Sequence, residues 1–206
     1  MKEKRIAGGG RRTEHKFSEV PTATIPRSQF NRSHDHKTTF DAGYLIPIYV
    51  DEVLPGDTYN LNLSAFARLA TPIYPLMDSL RLTYFFFFVP WRIIWDNFPR
   101  FMGEQINPGD STDFTIPQIT SATGGTALDN ADYMGIPPGR TNTTVSALPF
   151  RALHAIYNEW FRDQNLQDRV VLDKDDGPDT WSDYNTLLRR GKRHDYFTSA
   201  LPWPQK

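Results

Sequence analysis

The chain has 206 residues, a net charge of −1 and no cysteine. It can bury one hydrophobic core, but it cannot form a disulfide framework or a thiolate metal site. Aromatic residues make up 14% of the chain, which argues against global disorder, and 16 prolines with 13 glycines favour short strands and turns over long helices.

The N-terminal region is predicted to be a basic, largely irregular arm over residues 1–38. Residues 1–40 carry nine Lys or Arg and four acidic residues, a net charge of +5, which leaves −6 for the rest of the chain. A basic arm on an acidic body is one pattern of a tail that faces nucleic acid, and a solvated, mobile terminus is the alternative. The start of the chain is charged and lacks the apolar core of a signal peptide.

Three β-strands are predicted between residues 39 and 90. Residues 44–50 are apolar and rich in β-forming side chains, and residues 59–69 alternate between apolar and mostly polar positions. Residues 80–89 become aromatic on both faces towards their end. Phe85 and Phe87 therefore need to be covered by an inserted segment or by a neighbouring subunit.

A short amphipathic helix and a long aperiodic segment are predicted next. Trp91, Ile94, Trp95 and Phe98 have helical spacing, with Pro90 as the first residue and Pro99 as the end. Residues 103–148 are rich in Gly, Pro, Ser, Thr and Asn and show no periodicity, so we expect a large surface insertion.

A second helix is predicted over residues 149–162. Its apolar stripe consists of Leu153, Ile156, Tyr157, Trp160 and Phe161. The following residues, 168–195, are polar and charged with a turn near Gly177, and residues 196–204 resemble the beginning of a strand.

Candidate metal and catalytic motifs are weak. The two histidines of His34-Asp35-His36 would point to opposite faces of a strand, which favours a solvated loop. Asp173–Gly177 departs from the spacing of an EF-hand, so an acidic turn is favoured and a loose calcium site is the alternative. No nucleophile elbow, zinc-protease motif or phosphate-binding loop occurs, so we predict no enzyme, no catalytic residue, no metal ligand and no cofactor.

Several segments of the sequence have a pattern specific to one protein family. They are Phe40–Pro47, Pro55–Tyr59, Arg68–Pro72, Phe85–Pro90, Ala155–Arg162 and Lys192–Pro202. These segments closely resemble the major capsid protein of the microviruses, small bacteriophages with a single-stranded DNA genome, and the resemblance is nearest to the gokushovirus branch.

The resemblance implies a mainly β fold, a partial viral jelly roll (an antiparallel β-sandwich) with long loop and helical insertions. Residues 40–50, 58–69 and 79–90 would be its first three strands, residues 103–195 an insertion that contains the helix near 149–162, and residues 196–201 the start of the fourth strand. Because family members are much longer, we expect residues 39–206 to be the N-terminal portion of the capsid domain. We also expect that this piece alone is not a stable monomer, since half a jelly roll leaves open strand edges.

The implied function is a structural one, a capsid subunit that self-assembles into a small icosahedral shell around single-stranded DNA. The implied location is the virion, assembled in the bacterial cytoplasm, and the implied partners are other capsid subunits, packaged DNA and other virion or scaffolding proteins, with no membrane. A receptor- or carbohydrate-binding β-sandwich module of a phage particle and a hydrolase on a β-scaffold are the alternatives. The candidate site residues are Phe85, Phe87 and Trp91 for subunit or insertion packing, and Lys2, Lys4, Arg5, Arg11 and Arg12 for non-specific phosphate contacts.

Overall fold

The structure of the chain, a computed structural model, describes residues 26–191, 193–194, 196–197 and 199–200. The chain divides into two compact units, Met1–Asp35 and His36–Lys206. In the first unit, the described residues 26–35 are exposed and belong to no helix or strand. His34 there hydrogen-bonds through Nδ1 to the carbonyl of Arg32, at 2.9 Å.

Short elements make up the regular structure described in the second unit. In chain order they are α1 (Trp91–Ile94), α2 (Phe98–Phe101), β1 (Gln118–Ser121), α3 (Asn130–Tyr133), β2 (Thr143–Ser146), α4 (Leu148–Ile156), a π-helical turn (Tyr157–Phe161) and α5 (Trp181–Tyr184). No helix among the described residues has the length and apolar character that crossing a membrane requires.

The two strands form an antiparallel sheet in which Ile119 lies opposite Val145. Burial alternates along β1, because Ile119 faces the core while its neighbours on the outer face remain exposed. A cross-strand hydrogen bond joins the hydroxyls of Thr120 and Thr144 at 2.9 Å. On the other side of β1, the amide of Asp179 donates to the carbonyl of Gln118 at 2.8 Å, so the loop before α5 adds a parallel bridge to this sheet.

Two hydrophobic cores lie on either side of α4. The first contains Ile119, Ala131, Ala147, Phe150 and Tyr184, and it joins the sheet to α3, α4 and α5. The second joins α1 to α4 and consists of Ile94, Trp95, Leu148 and Ala155. Helix α4 therefore connects the two cores.

The predicted helix from Pro90 to Pro99 is wrong at both ends. Pro90 has extended backbone and precedes α1, and the chain leaves the helical conformation at Trp95. Pro99 lies in the first turn of α2, where its missing N–H would have no helical partner in any case. Pro99 therefore lies within the first turn of a second short helix and does not end the first one.

The prediction of an aperiodic surface segment over residues 103–148 is also wrong. This segment supplies β1, α3 and β2, and Ile119 and Ala131 are almost completely buried. Elements of four residues span about one helical turn or two strand repeats, which is too short for a periodic pattern to be detected. The start of α3 is fixed instead by a side chain, since Asp129 Oδ1 accepts a hydrogen bond from the amide of Asp132 at 2.9 Å.

The helix predicted at 149–162 is present as α4 and the π-helical turn, but its buried face differs from the predicted stripe. Of the predicted stripe, Tyr157 is buried, Leu153, Ile156 and Phe161 are half-buried, and Trp160 is 64% exposed. The other buried residues of this face are Arg151, His154, Ala155 and Asn158, which the prediction did not include. Polar groups occupy this face because partners from distant parts of the chain satisfy them.

The three strands expected at residues 40–50, 58–69 and 79–90 are absent. No residue between 45 and 89, all of which the structure describes, belongs to a helix or a strand. A strand requires a neighbouring strand to which it is hydrogen-bonded. Next to this region, the described residues form one isolated antiparallel bridge, between Tyr44 and Arg189. The described residues therefore do not form a mainly β sandwich. Of the strand expected at 196–201, the described residues belong to no strand, and the others lie outside the described part.

Candidate assembly surface

Residues 45–89, named here the apolar segment, present an unusual amount of apolar side chain to solvent. Phe66, Ile73 and Met77 are each more than 90% exposed. Large exposed apolar patches on soluble proteins mark sites of association. The other exposed apolar residues of the segment are Tyr49, Val50, Val53, Leu54, Leu61, Leu63, Leu69, Tyr74, Leu76, Leu80, Leu82, Tyr84, Phe85, Phe86, Phe87 and Phe88.

The backbone of the apolar segment lies outside helices and strands. A chain outside helices and strands presents donors and acceptors that a neighbouring strand can pair. A local turn is fixed at one place, where the amide of Asp57 donates to the carbonyl of Leu54 at 3.1 Å and the Asp57 carboxylate accepts from the Leu54 amide at 3.2 Å. The arrangement is suited to strand addition by another segment of protein.

Phe85 and Phe87 are brought together at the end of the apolar segment. Their ring centroids are 6.1 Å apart, and both rings pack edge-on against Phe161, at 5.3 Å and 5.9 Å. Phe87 also contacts Trp160 at 6.0 Å. Contact with the helical region leaves 38% of Phe85 and 41% of Phe87 exposed, so this aromatic cluster is only partly covered.

The π-helical turn positions the other half of the aromatic cluster. It continues α4 directly and is closed by a hydrogen bond of 2.8 Å from the amide of Arg162 to the carbonyl of Tyr157. A π-helical turn has one more residue than an α-helical turn, which changes the direction of the side chains that follow. Trp160 and Phe161 both lie in this turn and reach Phe87.

Trp91, the third predicted packing residue, lies elsewhere. It is half-buried at the edge of the second core, and its ring centroid is 5.4 Å from that of Phe98. The structure thus brings two of the three predicted residues into one cluster and uses the third to attach α1 to α2.

An ion pair that the sequence analysis missed fixes α4. The Arg151 guanidinium donates through Nε to Asp179 Oδ2 at 2.7 Å and through Nη2 to Asp179 Oδ1, with both side chains buried. Its Nη1 donates to the carbonyls of Asp175, at 2.8 Å, and Ile94, at 3.2 Å. Burial would lower the pKa of Arg151, but hydrogen bonding to Asp179 and the nearby negative charges outweigh it and raise the pKa.

The acidic turn at residues 173–179 is used for protein contacts. Besides the Arg151 contacts, the Asp176 carboxylate accepts from Trp95 Nε1 at 2.7 Å and from the Asn97 amide at 2.9 Å. Asp173 accepts from the Tyr184 hydroxyl at 3.3 Å. Across the part of the chain that the structure describes, no three His, Asp or Glu side chains are grouped so as to hold a metal ion.

His154 is a buried titratable group on the same face of α4. Its Nδ1 lies 2.6 Å from the carbonyl of Val171, so Nδ1 carries the proton, and the ring stacks on Tyr184 at 4.5 Å. Its Nε2 is buried and has no hydrogen-bond partner among the described residues. Burial lowers the pKa of His154, against the opposing effects of the Val171 carbonyl, Asp183 and Asp173. Burial also raises the pKa of Tyr184.

One sequence signal could have identified this face. Arg151, His154, Ala155 and Asn158 have the spacing i, i+3, i+4, i+7 of a single helix face. A polar stripe at this spacing, beside a partly apolar one, leaves two possible buried faces. The choice depends on the acidic turn more than 20 residues later, which supplies the carboxylate for Arg151.

The basic residues predicted to contact phosphate cannot be placed. Lys2, Lys4, Arg5, Arg11 and Arg12 all lie outside the described residues.

Comparison with known proteins gives a consistent result. The family model described as "Capsid protein (F protein)" matches residues 18–206. The chain is 52% identical over 199 residues to the protein named Capsid protein VP1 of Bdellovibrio phage phiMH2K, covering 96% of this chain and 37% of that protein. It is 45% identical to Capsid protein VP1 of Chlamydia phage 1, covering 94% of this chain and 36% of that protein. It is 37% identical to Capsid protein VP1 of Spiroplasma virus 4, covering 93% of this chain and 37% of that protein. The chain therefore spans little more than a third of the length of the curated relatives that it matches.

Proposed function

Because this chain belongs to the phage capsid protein (F protein) family, we propose that it forms part of a major capsid subunit that assembles into a small icosahedral shell around single-stranded DNA. The observation that carries the proposal is the apolar segment, whose large apolar side chains are exposed and whose residues belong to no helix or strand. Its role is structural, without catalysis, and its location is the virion after assembly in the bacterial cytoplasm.

We further propose that residues 40–50, 58–69 and 79–90 become strands of a jelly roll when further strands pair with them. Exposed apolar side chains in each range support this, because an apolar strand face is stable only when it is covered. The partly covered aromatic cluster of Phe85 and Phe87 then becomes a packing surface between the sheet and the helical insertion or a neighbouring subunit. Other capsid subunits and other virion or scaffolding proteins are the proposed protein partners.

The basic residues Lys2, Lys4, Arg5, Arg11 and Arg12 are proposed to contact packaged DNA through its phosphates. The net charge of +5 in residues 1–40, from nine basic and four acidic residues, supports this role. Removal of residues 1–16 is expected to lower the DNA content of particles and to weaken its dependence on salt. Unchanged DNA content and salt response would contradict the assignment.

A chimeric capsid tests the structural proposal. Residues 18–206 replace the matching segment of the Bdellovibrio phage phiMH2K capsid protein, to which this chain is 52% identical. We expect electron microscopy to show closed shells, and we expect a matched chimera carrying Phe85→Ser and Phe87→Ser to form fewer of them. A chimera that is folded and monomeric, under conditions in which the parent protein forms shells, would contradict the proposal. Fibres instead of shells would favour the receptor-binding alternative.

A further inference from the structure

Residues 189–197, named here the basic–aromatic segment, have a concentration of positive charge that the rest of the chain after the arm does not share. The segment contains four Lys or Arg and one Asp, while residues 41–206 together carry a net charge of −6. Like charges at such density repel one another unless an anion neutralises them. The segment is therefore a candidate for binding an anionic partner.

The start of this segment is held in place by backbone pairing. The amide of Leu45 donates to the carbonyl of Leu188, and the amide of Arg190 donates to the carbonyl of Gly43, both at 2.9 Å. The two hydrogen bonds flank the antiparallel bridge between Tyr44 and Arg189. The first two arginines of the segment thus extend from a fixed position.

Both of these arginines lie over aromatic rings. The guanidinium carbon of Arg189 is 4.9 Å from the centre of the Tyr44 ring, and Nη2 donates to the Tyr44 hydroxyl at 2.9 Å. The guanidinium carbon of Arg190 is 5.1 Å from the centre of the Phe85 ring. An arginine that stacks through its face keeps donors at its edge for phosphate oxygens. Within the described chain, no carboxylate forms an ion pair with Arg189, Arg190 or Arg193.

Two exposed aromatic rings follow the positive charges. Tyr196 is 89% exposed and Phe197 is 86% exposed, and their ring centroids are 5.5 Å apart at an interplanar angle of 87°. Positive charges that contact the nucleic-acid backbone, together with aromatic rings on which bases stack, are the combination that binds single-stranded nucleic acid without sequence preference. An anionic membrane surface would be attracted by the same charges, but it has no flat rings to stack against.

We infer that the basic–aromatic segment is a second binding site for single-stranded nucleic acid, separate from the N-terminal arm. Arg189, Arg190 and Arg193 contact phosphates, and Tyr196 and Phe197 stack against bases. The inference rests on the proposed function for the identity of the strand, which is the packaged DNA. Its test uses the 206-residue chain in solution, so that a failure of this site is distinguishable from a failure of shell assembly.

Fluorescence anisotropy with a short labelled oligothymidine, repeated over a series of salt concentrations, tests the phosphate contacts. Each phosphate contact to a single strand contributes about 0.7 to the slope of log K against log salt. The variant with Arg189→Gln, Arg190→Gln and Arg193→Gln should bind at least about tenfold more weakly, with a slope smaller by about 2. The matched control, Arg68→Gln with Arg81→Gln and Arg92→Gln, removes the same charge from exposed positions elsewhere and should change affinity by less than about twofold.

The aromatic contacts are tested by Tyr196→Leu with Phe197→Leu. Stacking of a base on an aromatic side chain is worth about 1–3 kcal/mol, so affinity should fall roughly 5- to 150-fold while the salt slope stays the same. Equal losses of affinity in the variant that lacks the three arginines and in its control variant would overturn the inference. An aromatic variant that binds with the affinity of the parent chain would overturn it as well. Binding to phosphatidylserine vesicles that depends on the arginines, without binding to oligothymidine, would also overturn it and would assign the segment to a membrane surface.

Discussion

Arg151 and Asp179 face each other in a buried ion pair, with 0% and 1% of their side chains exposed. Two parallel hydrogen bonds join the guanidinium to the carboxylate, which is the geometry in which such a pair is strongest. The pair connects α4 to the loop that bridges β1, and Arg151 also binds the carbonyl of Ile94 at the end of α1. It is therefore a buried polar contact that links the elements of the two cores.

Removal of one partner of this pair should destabilise the second unit strongly. Arg151→Ala leaves the Asp179 charge buried without compensation, and we expect a loss of about 3–5 kcal/mol in the free energy of unfolding. Urea denaturation followed by tryptophan fluorescence measures this loss, because Trp95 is buried and hydrogen-bonds to Asp176 in the same region.

Two further variants make this test specific. The double variant Arg151→Met with Asp179→Leu removes both charges and should lose much less stability than Arg151→Ala alone. Arg140→Ala, at an exposed position, should stay within about 0.5 kcal/mol of the parent chain. If Arg151→Ala and Arg140→Ala have the same effect, the ion pair does not fix α4.

His154 should make stability fall at acid pH. Burial lowers its pKa in the folded chain, against the effects of the Val171 carbonyl, Asp183 and Asp173, so the folded protein favours the neutral ring. Between the lowered folded pKa and the unfolded value of about 6.5, the unfolded chain binds a proton that the folded chain does not. The contribution of His154 is therefore complete above pH of about 6.5 and decreases as the pH falls towards the folded pKa.

The measurement is the urea midpoint between neutral and mildly acid pH, compared with that of His154→Phe. The phenylalanine keeps a ring over Tyr184 but cannot donate to the Val171 carbonyl, so the variant should be less stable at neutral pH. Because phenylalanine does not titrate, the variant should also lose part of the decrease in stability on acidification. His36→Ala, which replaces an exposed histidine, is the control variant in the same series. Identical pH dependence in His154→Phe and the parent chain would show that His154 makes no such contribution.

The position of α4 could be predicted from the sequence, but its buried face could not. Apolar periodicity locates the helix, and Pro149 in its first turn agrees with that position. The stripe that includes Trp160 suggests the wrong face, because burial of Arg151 depends on an acidic partner 28 residues further along the chain. Local periodicity contains no information about such a partner.

The apolar segment shows the same limit in a different form. The sequence analysis identified Phe85 and Phe87 as residues that need to be covered, and the structure places both against the π-helical turn. The sequence analysis also expected strands over residues 40–50, 58–69 and 79–90, which the structure leaves outside any strand. Alternation describes the face that a strand would bury, whereas strand formation also requires a neighbour that residue patterns in this segment cannot supply.

A double-mutant cycle between Phe85 and Phe161 should reveal a direct coupling. Their rings pack edge-to-face with centroids 5.3 Å apart, an arrangement worth about 0.5–1.5 kcal/mol beyond area burial. We expect Phe85→Ala and Phe161→Ala together to cost less than the sum of the single variants by about that amount. Unfolding in urea provides the free energies. The same cycle with the 91% exposed Phe66 in place of Phe85 should give additive losses, and additivity in both cycles would contradict the contact.

The apolar segment should make the 206-residue chain associate in solution. Phe66, Ile73 and Met77 are 91%, 94% and 94% exposed, and burial of an apolar side chain of this size contributes about 1.5–3 kcal/mol. The variant Phe66→Lys with Ile73→Lys and Met77→Lys should therefore lower the association constant by more than about tenfold, measured by sedimentation velocity over a range of protein concentrations.

Added positive charge alone also opposes association, so the matched control must have the same charge. Thr58→Lys with Asn62→Lys and Ser79→Lys places three lysines at exposed polar positions of the same segment. This control should associate nearly as strongly as the parent chain, because it removes no apolar surface. If both triple variants dissociate equally, repulsion explains the result, and the exposed apolar side chains are not the basis of association. A parent chain that sediments as a monomer and unfolds in one sharp transition would contradict the prediction directly, because its apolar segment would then need no other protein to cover it.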